Sequence, residues 1–284
     1  MTNIGISLGA VLAGWVVQVG THHAYQVLVL GNALTFVASA AVLLLLPPVA
    51  PDPTTDGLRW TALRDRPYLA LTLLEGVMAI QFKVLTVAIP LWVVAATSAP
   101  HWLISATMLL NTLIVIVFQV RASRHVDSPA AGAVAYRRAG IAFLAACALI
   151  SLSAGTPAWV AATLLLTAVV VHTVGELWHS AAGFEVSFAL APRHATGQYL
   201  GVFGLGAGLA ETVGPTLLIA LCITWGRPGW YVAGALFLLT GLAAPLTVRW
   251  AQRHPQTKGL PSHETAPAST ASDLLSPPVA RGTR

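Results

Sequence analysis

Four acidic or strongly basic side chains lie inside long apolar stretches of this sequence: Glu75 and Lys83 in one stretch, Glu176 in another and Glu211 in a third. An ionisable group in a membrane-spanning helix costs roughly 2.5 to 3.5 kcal/mol on insertion scales, so each needs a function or a partner. Burial favours the neutral form of a carboxyl, which lets such a group take up and release a proton near the operating pH. We therefore predict the three glutamates as proton-coupling candidates, with a carboxyl held by a neighbouring helix as the alternative for each.

Polar side chains in the same stretches could contact a substrate. Lys83 follows Glu75 by eight residues, which on a helix means ~12 Å along the axis and ~80° around it. The two cannot pair directly, so Lys83 is expected to find another carboxylate, water or an anionic substrate group. Gln81 and Asn111 could hydrogen-bond a substrate or a neighbouring helix, and His172 is expected to be hydrogen-bonded and to face a cavity.

His172, Glu176 and His179 suggest a different chemistry, because at ~100° per residue they share one helix face. Glu176 and His179 form a Glu-x-x-His pair of the kind used in helical di-metal sites. Such a site needs a second pair or further carboxylates at the same depth, and no other apolar stretch contains the pattern. We predict no metal, no cofactor and no enzymatic activity, and keep an intramembrane metalloenzyme built on these three residues as the alternative.

The composition indicates which elements carry these side chains. Of the 284 residues, 56% are hydrophobic and 9% are charged, whereas a soluble domain has roughly 25% charged residues. Apolar stretches of membrane-spanning length recur, so we predict an all-α integral membrane protein rather than a soluble enzyme. The net charge of +5 does not indicate nucleic-acid binding, because the basic residues lie between the stretches. The eight predicted spans are Ile4 to Val19, Tyr25 to Leu46, Tyr68 to Ala95, Trp102 to Val120, Ala139 to Ala154, Ala158 to Ser180, Tyr199 to Ile223 and Trp230 to Val248.

The connections between spans differ sharply in charge. The connections alternate between two sides of the membrane. On one side, residues 20–24, 97–101 and 155–157 contain no Lys or Arg, and the fourth connection contains one basic residue, Arg227. The connections of the other side, together with the C-terminal tail, hold 13. By the positive-inside rule the basic side is cytoplasmic, so both termini are expected in the cytoplasm of a multi-pass plasma-membrane protein.

Small residues spaced for close helix packing mark the first span, where Gly5, Gly9, Ala10 and Gly14 could form one contact surface. An offset of 205 residues places this span on the seventh, with Gly9 at Gly214. The match suggests two related halves, as in many secondary transporters, and chance similarity between glycine-rich helices is the alternative.

The pattern Gly5-x-x-x-Gly9-Ala10-x-x-Ala13-Gly14 resembles the fifth-helix antiporter signature of the twelve-helix drug:proton antiporters in the major facilitator superfamily. Ala10 stands where that family has Pro, and Ala13 where it has Gly. The resemblance implies that the eight spans are helices five to twelve, with the first four helices missing. Glu75 and Glu176 would then lie on the family's seventh and tenth helices, which line the central cavity.

On this reading, residues 1–47 are the last two helices of the N-terminal half and 48–67 the central cytoplasmic loop. Residues 68–251 form a complete C-terminal six-helix half, and the Pro- and Ser-rich residues 252–284 are a disordered cytoplasmic tail. The resemblance implies proton-coupled efflux of small lipophilic or drug-like compounds, with protons, substrate and the lipid bilayer as partners. A missing N-terminal half or a second copy would complete the assembly, and a truncated non-transporting remnant or partner subunit is the alternative.

Overall fold

The computed structural model describes residues 9, 12, 16, 19–45, 61–192 and 195–254, and all regular elements within these ranges are helices. Seven of the described helices are long and apolar enough to cross a membrane, which agrees with the predicted multi-pass membrane protein. A short helix, α2, precedes the second of them. The elements are α1 His22–Leu44, α2 Thr61–Arg64, α3 Arg66–Ala96, α4 Leu103–Ser123, α5 Pro129–Leu152, α6 Ala158–Ala189, α7 Thr196–Thr224 and α8 Arg227–Arg253.

Several predictions fall outside the described ranges. Gly5, Ala10 and Gly14 lie outside them, whereas Gly9 is described as helical and exposed. Three further expectations remain predictions. They are the count of eight spans, the repeat between the first and seventh spans, and the division into residues 1–47, 48–67, 68–251 and 252–284. Within 48–67, the described part already contains the helical residues of α2.

The observed helices are longer than the apolar stretches that predicted them. α5 begins at Pro129, ten residues before the expected Ala139, and α6 continues to Ala189, nine residues beyond the expected Ser180. Hydropathy marks the part of a helix suited to hydrocarbon, while the helix itself continues until a cap or a proline ends it. Arg137 and Arg138, expected in a loop, are therefore exposed residues of α5.

Side-chain caps and proline fix where two of these helices begin. The Asp65 carboxylate accepts a hydrogen bond from the Tyr68 backbone N–H at the start of α3, and the Ser128 hydroxyl accepts one from the Ala131 N–H at the start of α5. Proline lies in the first turn of both helices, where its missing N–H costs no hydrogen bond.

The six helices α3 to α8 pack into one bundle. α5 packs extensively against both α6 and α8, α3 packs against α7 and α8, and α4 packs against α6. Glycine permits the closest approaches: a Cβ at Gly140 of α5 would lie 2.6 Å from the Phe237 carbonyl oxygen of α8. In contrast, α1 contains no buried residue.

Two helices of the bundle contain π-helical turns near a proline. In α3 the π turn covers Val84–Ala88, just before Pro90, and in α7 it covers Ile219–Thr224, just after Pro215. Proline cannot donate a backbone hydrogen bond, and π turns often mark local irregularity at functional sites. Pro90 and Pro215 thus lie beside irregular turns of their helices.

Candidate functional site

Four buried polar residues from three helices form one hydrogen-bonded group, which we name the Glu75 cluster: Glu75 and Gln81 of α3, Tyr136 of α5 and His179 of α6. The Tyr136 hydroxyl donates to Glu75 Oε2 at 2.6 Å. His179 Nε2 lies 3.1 Å from the same oxygen, and His179 Nδ1 lies 3.4 Å from Gln81 Nε2. α3, α5 and α6 are thus tied together by a single carboxylate.

Donor and acceptor roles in this group follow from chemistry. An amide nitrogen only donates, so the Gln81 Nε2 position requires His179 Nδ1 to accept. His179 Nε2 then carries the N–H that donates to Glu75 Oε2. The remaining acceptor, Gln81 Oε1, is buried without a hydrogen-bond partner in the described part of the chain.

The surroundings exclude water and leave room for the carboxylate. Glu75 is 9% exposed, His179 1% and Gln81 0%. A side chain at Gly183, one turn beyond His179, would place its Cβ 3.3 Å from both Glu75 Oε2 and the Tyr136 hydroxyl. The absence of a side chain at Gly183 therefore gives the carboxylate its space. Aromatic rings surround the imidazole, with the centroid of Phe82 at 5.6 Å.

Glu176 belongs to a separate group between α4 and α6. Asn111 Nδ2 donates to Glu176 Oε2 at 2.8 Å and to the Thr173 hydroxyl at 3.0 Å. Asn111 thus has the helix-to-helix role that was one of its two predicted uses. Glu75 and Glu176 lie in two different hydrogen-bonded groups.

Lys83 pairs with Glu211, which joins α3 to α7. This agrees with the expectation that Lys83 finds a carboxylate other than Glu75. The Lys83 side chain is 17% exposed and the Glu211 side chain 67% exposed. Glu211 therefore has a counter-charge within the chain.

His172 does not make the hydrogen bond that the sequence analysis expected. It is 1% exposed, and neither ring nitrogen makes a hydrogen bond among the described residues. Its ring packs against Phe143 with centroids 5.1 Å apart. The backbone of Gln81 is close by, without the geometry of a hydrogen bond, so His172 lies next to the Glu75 cluster without joining it.

The structure does not bring His172, Glu176 and His179 into one metal site. No group of three or more His, Cys, Asp or Glu residues within the described ranges could hold a metal ion. Glu176 bonds to Asn111 and His179 to Glu75. His179 follows His172 by seven positions, which places the two residues ~10 Å apart along the helix axis. This separation is too large for one ion, although the two residues share a face.

Sequence reasoning missed a second polar group at the start of α3. Asp65 is 6% exposed, and its Oδ2 accepts a hydrogen bond from the Tyr199 hydroxyl of α7 at 3.0 Å. The Tyr68 hydroxyl donates to the Ser187 carbonyl of α6 at 3.1 Å. The signal for Asp65 was present as a helix-capping residue before Arg66-Pro67. For Tyr136 there was none, because the predicted span began at Ala139 and left Tyr136 in a connection.

An apolar cavity of about 300 Å³ lies between α3 and α7. Thr72 is the polar side chain among residues such as Leu69, Leu73, Leu205 and Val213. The Glu75 cluster faces α5 and α6, so this cavity and the cluster lie on different sides of α3.

Neither a protein-family model nor a curated protein matches this sequence. Among solved structures, the chain is similar to a POT family transporter, crystallised in complex with a thioalcohol-conjugated peptide. The TM-score is 0.54 at 17% sequence identity, over 87% of this chain and 53% of that chain. The chain thus spans about half the length of the transporter it matches. At this identity the likeness concerns the fold: the helices of this chain are arranged similarly to about half of that transporter.

Proposed function

We propose that this chain is part of a proton-coupled secondary transporter that exports small lipophilic or drug-like compounds across the plasma membrane. The observation that carries the proposal is the Glu75 cluster, a carboxylate hydrogen-bonded to Tyr136 and His179 in the interior of a transporter-type fold. Buried ionisable groups are costly in a membrane protein and often mark proton paths. Glu176, which accepts a hydrogen bond from Asn111, is the second carboxyl that we propose to take up and release a proton.

Protonation would change the net charge of the Glu75 cluster. With an ionised Glu75 and a neutral His179 the cluster carries one negative charge, and with one added proton it carries none. Burying a net charge is costly, so the protonated cluster is better suited to a conformation closed to water on both sides. This difference could couple the proton to alternating access.

The orientation of the Gln81 amide would differ between the two protonation states of the cluster. In the observed orientation its amide N–H points at His179 Nδ1 and opposes a proton there. A turn of the amide would present Oε1 as an acceptor for an Nδ1–H, and Oε1 is at present the atom without a partner. Gln81 would thus have one orientation for each protonation state of His179.

Two arguments support the proposed class of substrate. The cavity beside α3 is apolar, which suits a lipophilic compound, and the resemblance to drug:proton antiporters points the same way. Alternating access in such folds uses two helical halves around a site near the midplane. Since the chain spans about half of the matched transporter, we propose that further helices or a second copy supply the other half. A non-transporting partner subunit is the alternative.

A flux measurement tests the proposal. Vesicles containing the chain, alone and co-expressed with polypeptides that co-purify with it, are given a pH gradient and a panel of lipophilic compounds and short peptides. We expect compound movement that a protonophore abolishes, in at least one assembly. No gradient-driven flux in any assembly would contradict the transport function and favour the subunit alternative.

The orientation of the chain gives a separate prediction, which follows from the charge asymmetry of its loops. A reporter fused after Arg284 should be active only in the cytoplasm, and a reporter inserted between Thr97 and His101 only outside. The reverse pattern would contradict the predicted cytoplasmic termini.

A further inference from the structure

A groove of about 440 Å³ runs between α4 and α6 on the surface of the bundle. Its walls are apolar and aromatic, and its basic residues, Arg121 and His125, lie together at the C-terminal end of α4. The apolar and aromatic wall includes Phe118, Val170, Val174, Leu177 and Trp178.

The groove lies on the far side of α6 from the Glu75 cluster. At ~100° per residue, Val170, Val174 and Leu177 fall within ~60° of one another, whereas His179 lies ~180° from Val170. The groove therefore has walls and charges of its own, and its occupant need not meet the proton-coupling residues.

The basic residues at the end of the groove make no ion pair in the part of the chain that the structure describes. Within the described ranges, neither Arg121 nor the neighbouring Arg124 makes an ion pair, and both are exposed. Arg138 of α5 extends this positive surface, with its guanidinium 6.0 Å from the centre of the Trp178 ring. Basic side chains at the end of an apolar groove between membrane-spanning helices are complementary to an anionic headgroup with an attached hydrocarbon chain.

We propose that the groove between α4 and α6 binds one anionic phospholipid, with its phosphate at Arg121 and His125 and an acyl chain along Phe118, Val170 and Val174. The apolar walls favour a lipid over a free phosphate ion, because inorganic phosphate would use only the basic end. The groove opens on the bundle surface, where Phe118 is 47% exposed, so a lipid can enter sideways from the bilayer.

Trp178 provides the measurement, since it forms part of the groove wall. The protein is placed in nanodiscs of phosphatidylcholine that contain a small fraction of one brominated lipid, either phosphatidylglycerol or phosphatidylcholine. Bromine on the acyl chains of the added lipid quenches the fluorescence of nearby indoles. The Trp178 signal is the difference between the wild type and Trp178→Phe. We expect half-maximal quenching at about a fivefold lower fraction of the anionic lipid than of the zwitterionic lipid, as one or more favourable basic contacts imply.

Two variants and one control separate the groove from general surface charge. Arg121→Gln combined with His125→Gln should remove the preference for the anionic lipid, and Arg253→Gln, at the end of α8, should retain it. Val174→Phe fills the apolar wall and leaves the charges intact, so it should reduce quenching by the anionic lipid. Should the double variant fail to fold, judged by gel filtration and circular dichroism, Val174→Phe still tests the site.

Three results would overturn the proposal. Equal quenching by the two lipids in the wild type would show no headgroup preference. Loss of the preference in Arg253→Gln would assign it to overall charge. Relief of quenching by millimolar inorganic phosphate, with Val174→Phe unchanged, would indicate a simple anion site. These readouts need no transport, so failure here is distinct from failure of the proposed function.

Discussion

Glu75→Gln should abolish flux driven by a pH gradient while allowing exchange of substrate for substrate. The amide has nearly the shape of the carboxylate, and its oxygen at the Oε2 position can still accept from both Tyr136 and His179. It cannot bind and release a proton, so the charge of the cluster no longer changes during the cycle. The two hydrogen bonds lose their charge assistance, which should lower the free energy of unfolding by about 1 kcal/mol.

The matched control is Glu185→Gln, the same chemical change on α6, at a glutamate outside the cluster and outside any ion pair among the described residues. It should leave gradient-driven flux and exchange unchanged. The measurement is flux and exchange in parallel in whichever assembly transports, with thermal unfolding as the check on folding. Normal gradient-driven flux in Glu75→Gln would assign Glu75 a structural role and transfer proton coupling to Glu176.

Gly206→Ala should strongly destabilise the bundle, because Gly206 is the point where α7 touches the backbone of α3. An added Cβ would overlap the Thr72 carbonyl oxygen, and a Cβ at Gly76 on the facing helix would lie 3.0 Å from the Gly206 carbonyl oxygen. Backbone atoms cannot rotate away, so the two helices must separate. We expect a loss of about 1 to 3 kcal/mol, the usual cost of overpacking, even though alanine favours a helix.

Gly204→Ala provides the opposite expectation on the same helix, since no atom of the described residues lies within 4 Å of a Cβ at this position. It should be neutral or slightly stabilising, by up to about 1 kcal/mol from helix propensity. Thermal unfolding of both variants in one detergent gives the comparison. Equal stability of Gly204→Ala and Gly206→Ala would contradict the close approach of α3 and α7.

The sequence predicted the class of structure well, because hydropathy records the cost of placing side chains in hydrocarbon. It predicted helix ends poorly: Arg137 and Arg138 are charged and were assigned to a loop, yet they continue α5. A helix that emerges into water no longer needs apolar residues, so hydropathy carries no information about where it stops. Caps such as Ser128 carry that information more directly.

The candidate site was predicted in part. Glu75 stood out because one carboxylate in an apolar stretch is costly, and Lys83 was correctly expected to pair elsewhere. Its neighbours could not be found, since Tyr136 is 61 residues away and His179 is 104 residues away in sequence. Which helix faces which is decided by close contacts such as Gly140 against Phe237, and one sequence does not reveal that pairing.

The Lys83–Glu211 pair also constrains how the chain can be made. The two residues are 128 positions apart, so at about 5 to 20 residues per second Glu211 is synthesised roughly 6 to 26 s after Lys83. During that interval the ammonium group enters the translocon without its counter-charge, at a cost of roughly 2.5 to 3.5 kcal/mol at the centre of a helix. The apolar residues of α3 on both sides of Lys83 must therefore hold the helix in the bilayer until α7 emerges from the ribosome.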